Sequence, residues 1–206
     1  MKRIPLKCLC FILCLFFIYG TLLTQGKQDS YSGNLLLSVK AGYHTSYRIN
    51  MDEGFPDGFI LGGSMSVGAG KHILIGFNFE YWKRKNVAVN PSLTDITVNK
   101  NYNGVGYRFF VQYRRTLFKE LDLYADAGLG QYQISYNYMS GSTYNSDKNS
   151  YLITGVSIGA GLKLAGFLIL NAELSHSGLV NFSLDGSTSA RITSFKFGPT
   201  LFFKMK

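Results

Sequence analysis

The chain has 206 residues, or about 180 once an N-terminal leader is set aside, which makes one domain rather than several. Its formal charge of +9 on an exported chain favours anionic surface groups, of acidic lipid or glycan, over nucleic acid. All three cysteines, Cys8, Cys10 and Cys14, stand in the leader, which excludes a disulfide scaffold for the rest.

The leader is read from Lys2, Arg3 and Lys7, the apolar run Leu9 to Leu23, and small residues at Thr24 and Gly26. That order predicts a cleaved secretory signal peptide over residues 1–26. Its apolar run is shorter than the roughly 18 residues of a spanning helix. Its removal takes three positive charges with it. The remainder, 27–206, contains no stretch resembling a transmembrane helix and no sustained helical periodicity.

What it contains instead is period two. Leu35, Leu37, Val39, Ala41 and Tyr43 alternate with Asn34, Ser38, Lys40, Gly42 and His44, which predicts a first strand from about Gly33. After a loop with Phe55-Pro56-Asp57-Gly58, a second strand sets Phe59, Leu61, Met65 and Val67 against Gly62, Ser64 and Ser66. Gly70-Lys71-His72 is a three-residue turn by parity. A third strand follows, with Ile73, Ile75, Phe77, Phe79 and Tyr81 against Gly76, Asn78, Glu80 and Trp82. A fourth sets Val105, Tyr107, Phe109, Val111 and Tyr113 against Arg108, Gln112 and Arg114; a fifth sets Leu121, Leu123, Ala125 and Leu129 against Asp122, Tyr124 and Asp126. The phase then flips at Tyr132, Ile134 and Tyr136. Either a bulge near Gly130 or the exit of the strand from its apolar environment explains the flip.

Leu152 to Leu164 and Leu168 to Leu174 give the clearest alternation, broken by Ala165-Gly166-Phe167. A three-residue loop with Leu164 facing Leu168 keeps both apolar rows on one side, whereas a two-residue loop would oppose them. Phe195, Phe197, Pro199, Leu201 and Phe203 mark an eighth strand. Pro199 there removes a ladder donor, which fits a bulge or an irregular closure with the first strand.

Eight strands with alternating short turns and long loops (around 48–58, 84–101, 139–150 and 178–190) predict an all-β, antiparallel up-and-down barrel. A lipocalin-like barrel would carry its apolar row inside. Here the opposite row is mostly Gly, Ser and Asn, which suits a narrow interior and not a solvated surface. Tyr43, Tyr47, Tyr81, Tyr102, Tyr113 and Phe203 are expected as an interfacial girdle. The apolar row therefore faces lipid.

On these features the chain resembles the eight-stranded outer-membrane barrels of the OmpA-domain and OmpX type. Gly178-Leu179-Val180-Asn181 and the closing Phe195-Lys196-Phe197-Gly198…Phe202-Phe203 are similar, more narrowly, to the PorT-like outer-membrane β-barrel domains of Bacteroidota. The resemblance implies a bacterial outer-membrane location and no catalytic residue.

The inner face carries Lys40, Glu80, Arg108, Asp126 and Glu173 at similar heights, with Lys196 near them. Unpaired charges in a narrow lumen are costly, so a mixed-sign network is expected to fill it; pairing Tyr113 with Leu121 would set Arg108 opposite Asp126. The alternative is a gate or narrow passive pore in which these charges line water. Gly-x-Gly pairs within strands make room for neighbours and form no nucleotide loop. His44, His72 and His176 stand alone, so no metal and no cofactor is expected. Glu173, His176 and Ser177 share residue types with the lipid A deacylases, which are also eight-stranded barrels, but not their spacing. The leading expectation is a non-enzymatic monomer in contact with outer-membrane lipid and lipopolysaccharide, with an extracellular protein or glycan partner at its loops. Alternatives are the pore, a lipid A-modifying enzyme and a component of a secretion machinery.

Overall fold

The computed structural model describes residues 30–49, 57–89, 98–140, 143–183 and 186–205; the leader and the residues between these spans lie outside the description. Eight strands form a closed antiparallel barrel in sequential order: β1 (Asn34–Ile49), β2 (Gly58–Gly68), β3 (Ile73–Val89), β4 (Val98–Phe118), β5 (Leu121–Ser140), β6 (Thr143–Ala165), β7 (Leu168–Ser183) and β8 (Gly186–Lys204). β8 pairs with β1, so the sheet has no free edge. The expected all-β up-and-down barrel is what forms.

Two of the short turns keep the register that parity requires. Val67 faces Ile75 across β2–β3, and Leu162 faces Leu170 across β6–β7. At the second turn the ladder ends on Ala165 opposite Leu168, with a register shift between Lys163 and Ala165. A two-residue tip plus one bulged residue thus does the work of the expected three-residue loop. The β4–β5 turn differs. β4 runs on to Phe118, which faces Leu121, so Tyr113 pairs with Ala125 and not with Leu121. Pro199 leaves the β1–β8 ladder without pairs at Val39 and Lys40, though the register resumes unchanged at Ala41–Phe197.

Two expected loops are strands. Residues 139–150 and 178–190 lie mostly in tall hairpins whose ladders run up to Ser140–Thr143 and Ser183–Gly186. β4, β5 and β6 have 21, 20 and 23 residues, about twice the 9–11 that a tilted strand needs to cross a bilayer. They stand well above it. No bulge occurs at Gly130; the ladders pass through it unbroken. The phase flip records the exit from lipid: Leu129 points outward, and just above it Gln131 and Gln133 take the outer side while Tyr132 and Ile134 turn inward and are buried.

The interior is consequently layered. Ten apolar or aromatic side chains, among them Trp82, Tyr132, Ile153 and Leu179, close the long-hairpin end. Tyr102 belongs to this layer at 3% exposure, so it is no part of an outer girdle; Tyr43, Tyr81 and Phe203 are exposed on the wall. At the short-turn end Tyr31, Leu36 and Leu74 pack together with Phe202. Gly33, at φ 69°, makes the bend that tucks Tyr31 beneath β1.

Phe109 lies midway along the outward apolar row of β4 and is 64% exposed. Phe109→Lys is expected to cost about 2–4 kcal/mol, whereas Gln131→Lys, outward and above the band, costs at most about 1 kcal/mol. Urea titration of the two variants in lipid vesicles reads the difference, and equal costs would place the wall outside a bilayer.

Candidate functional site

Between the two apolar layers the lumen is charged. Glu173 and Lys196 are directly paired on β7 and β8, and their side chains meet at 2.9 Å. Lys196 also donates to Glu80 Oε1 at 2.5 Å from across the lumen, and Lys40 donates to the other oxygen of Glu173. Asn78 completes the set by donating to Glu80 at 3.0 Å. Lys196 and Glu173 are almost fully buried, so each charge depends on its partners.

Arg108 and Asp126 form a second group. Arg108 has Gly130 as its main-chain partner, four residues from the expected position. Its side chain runs along the lumen towards the short-turn end and still reaches Asp126 Oδ1 at 2.8 Å. Ser157 donates to the same oxygen at 3.0 Å. The length of an arginine absorbs the difference in register. The structure thus brings Lys40, Glu80, Arg108, Asp126, Glu173 and Lys196 into one layer.

A third group lies nearer the short-turn end and has no counterpart in the expected network. Asp122, fully buried, accepts from Tyr31 Oη at 2.5 Å and from Thr116 Oγ1 at 2.8 Å; Lys163 Nζ lies 3.4 Å away. Arg114 donates to Asn171 Oδ1 at 2.5 Å, and Asn171 donates to Thr200. Arg114 also covers the ring of Tyr124 at 4.6 Å. The inward parity of Asp122, Arg114 and Lys163 was visible in the sequence. Tyr31 precedes the first strand and carries no periodic signal.

A pocket of about 240 Å³ opens at the short-turn end beside Tyr31, Lys163, Ile169 and Phe202, but the space within the charged layer is small. One cavity of about 20 Å³ lies among Arg108, Asp126, Glu173 and Lys196, and another of about 10 Å³ lies beside Tyr132 and Ser177. Each has room for about one water molecule.

Glu173, His176 and Ser177 do not assemble. Glu173 points into the lumen, while His176 is on the outer wall with Nδ1 3.0 Å from Thr193 Oγ1. Ser177 has the parity of Glu173 and lies beside Gly155 on the inside. Alternation along one strand puts the barrel wall between imidazole and carboxylate, so the deacylase-like alternative loses its triad. His44 lies inside against Trp82, with ring centroids 5.0 Å apart, and His72 lies beside Tyr113 at the short-turn end. Among the described residues no cluster of His, Cys, Asp and Glu could hold a metal ion.

A closed wall, apolar outside and charged within, defines a transmembrane eight-stranded barrel. No protein-family model matches the chain, and no characterised protein matches it in sequence. Solved structures do match. Neisserial surface protein A is 13% identical with a TM-score of 0.60, over 84% of this chain and 100% of its own. OprG of Pseudomonas aeruginosa is 13% identical at 0.56, over 86% and 99%. Ail, the attachment invasion locus protein of Yersinia pestis, is 13% identical at 0.52, over 84% and 99%. The chain has the fold of the small outer-membrane barrels.

Proposed function

We propose that this chain is an integral, monomeric barrel of a bacterial outer membrane, exported under the 1–26 leader, that acts at the surface and neither conducts nor catalyses. One observation carries the reading: apolar side chains pack across the lumen at both ends, and among the described residues the cavities inside the charged layer are about 20 and 10 Å³, the larger space of about 240 Å³ lying at the short-turn rim beside Tyr31, Lys163 and Phe202. The charges serve to register and fill the barrel. What remains for contact with other molecules is the outer wall, which meets lipid and lipopolysaccharide, and the long-hairpin end. There the tall β5–β6 and β7–β8 hairpins would present an extracellular protein or glycan with specific side chains.

The test is conductance of the refolded mature protein in a planar bilayer, alongside heat-modifiability on a gel. The expected result is a compact, heat-modifiable band with no channels. Steady openings altered by Arg108→Ala would make the inner charges a gate and overturn the reading. The PorT-like resemblance of Gly178–Asn181 and the closing strand supports a second role for the same closed barrel, as a scaffold subunit of a secretion or assembly machine. A stable complex with envelope proteins after mild detergent extraction would favour it, and a solitary monomer would count against it.

A further inference from the structure

Among the described residues, five cations point into the barrel beneath its upper apolar layer: Lys40, Arg108, Arg114, Lys163 and Lys196. Four carboxylates answer them: Glu80, Asp122, Asp126 and Glu173. Every one of the four is accounted for. Arg108 takes Asp126, Lys163 takes Asp122, Lys40 takes Glu173, and Lys196 takes Glu80 together with Glu173. Arg114 is left over. It is 2% exposed, its side chain donates to the neutral amide of Asn171, and its Nε has no hydrogen-bond partner among the described residues. The rings of Tyr124 and Tyr31 flank it at 4.6 and 5.9 Å, which eases the charge without cancelling it.

A surplus lysine could settle such an imbalance by giving up a proton; a guanidinium in a protein cannot. An uncompensated buried charge is strongly unfavourable, so the remaining solution is a counter-ion. Arg114 lines the cavity of about 20 Å³ together with Gln112 and Ser66, two buried donors. The carboxylates on the same cavity are already bridged by cations. We propose that this cavity binds one small monovalent anion, a halide, held by Arg114 with Gln112 and Ser66. The volume takes one water-sized object, which excludes sulfate and phosphate, and a single surplus charge calls for a single negative one. The inference does not depend on what the hairpins bind.

Bromide is the probe. Crystals of the refolded protein grown with bromide as the sole halide are expected to show one anomalous peak inside the barrel, in contact with Arg114 Nε. In solution at fixed ionic strength, the melting temperature is expected to rise with the logarithm of bromide concentration when bromide replaces gluconate, which is too large for the cavity. Arg114→Gln is expected to abolish that rise. Absence of the peak, a peak elsewhere in the lumen, or no dependence on bromide in the wild type would overturn the proposal. So would an unchanged dependence in Arg114→Gln. If the variant fails to refold, the two wild-type measurements decide.

Discussion

Lys196→Met lowers the unfolding free energy in lipid by about 3–5 kcal/mol, the cost of breaking a buried ion pair from one side. The upper part of that range is expected, because Lys196 is 3% exposed and holds two carboxylates, Glu80 at 2.5 Å and Glu173 at 2.9 Å. Its removal leaves Glu80 with the hydrogen bond from Asn78, and Glu173 with Lys40 and a weak 3.4 Å bond from Tyr124. Much of the loss comes from the stranded negative charge and not from the missing contact. The double variant Lys196→Met, Glu80→Gln should therefore recover part of the stability while leaving Lys40 and Glu173 paired. Urea titration in vesicles, read by the gel shift between folded and unfolded bands, measures both. A single-variant cost below about 1 kcal/mol, the range of exposed pairs, would mean that water reaches the network and that the lumen is not sealed.

The second large effect is expected at Trp82. Its side chain is 1% exposed, packs edge-on against His44, and lies over Gly104 on the neighbouring strand. Trp82→Ala should cost about 3–5 kcal/mol, as removal of a large buried side chain does when the surroundings relax only in part. A Cβ on residue 104 would run into the indole ring. Gly104→Ala alone should then destabilise, yet it should cost much less in the Trp82→Ala background, where the space is free. A double-mutant cycle on the two positions isolates that coupling. Additive effects would show that the indole does not occupy the space above Gly104. Because Trp82 lies in the layer that closes the long-hairpin end, planar-bilayer recording of Trp82→Ala also tests whether that layer seals the lumen.

Much of this was legible in the chain because a strand alternates sides at every residue. Parity alone placed Lys40, Glu80, Arg108, Asp126, Glu173 and Lys196 on one face, and parity with turn length set the β2–β3 and β6–β7 registers. Alternation does not state which environment lies on either side, and that changes with height along the barrel axis. Tyr102 reads as an outer aromatic, and Tyr132 as the mark of a bulge, only while the whole strand is taken to lie in lipid; above the bilayer the wet side is outside and the rings turn in. The same change hid the upper parts of β5 to β8, whose Asn, Ser and Tyr pattern lacks an apolar row.

By itself, then, the sequence determined that the chain forms eight alternating strands and, within the lipid-facing span, which side of each is inward and so that Lys40, Glu80, Arg108, Asp126, Glu173 and Lys196 share a face, since these follow from a local period of two. Only the tertiary structure decided the four-residue difference in the β4–β5 register, the closure past Pro199, the burial of Tyr31 on Asp122, and the lack of an ion pair to Arg114 among the described residues. Those depend on how far each strand slides along its neighbours when the sheet closes, and on side chains that reach across the lumen between strands far apart in the chain.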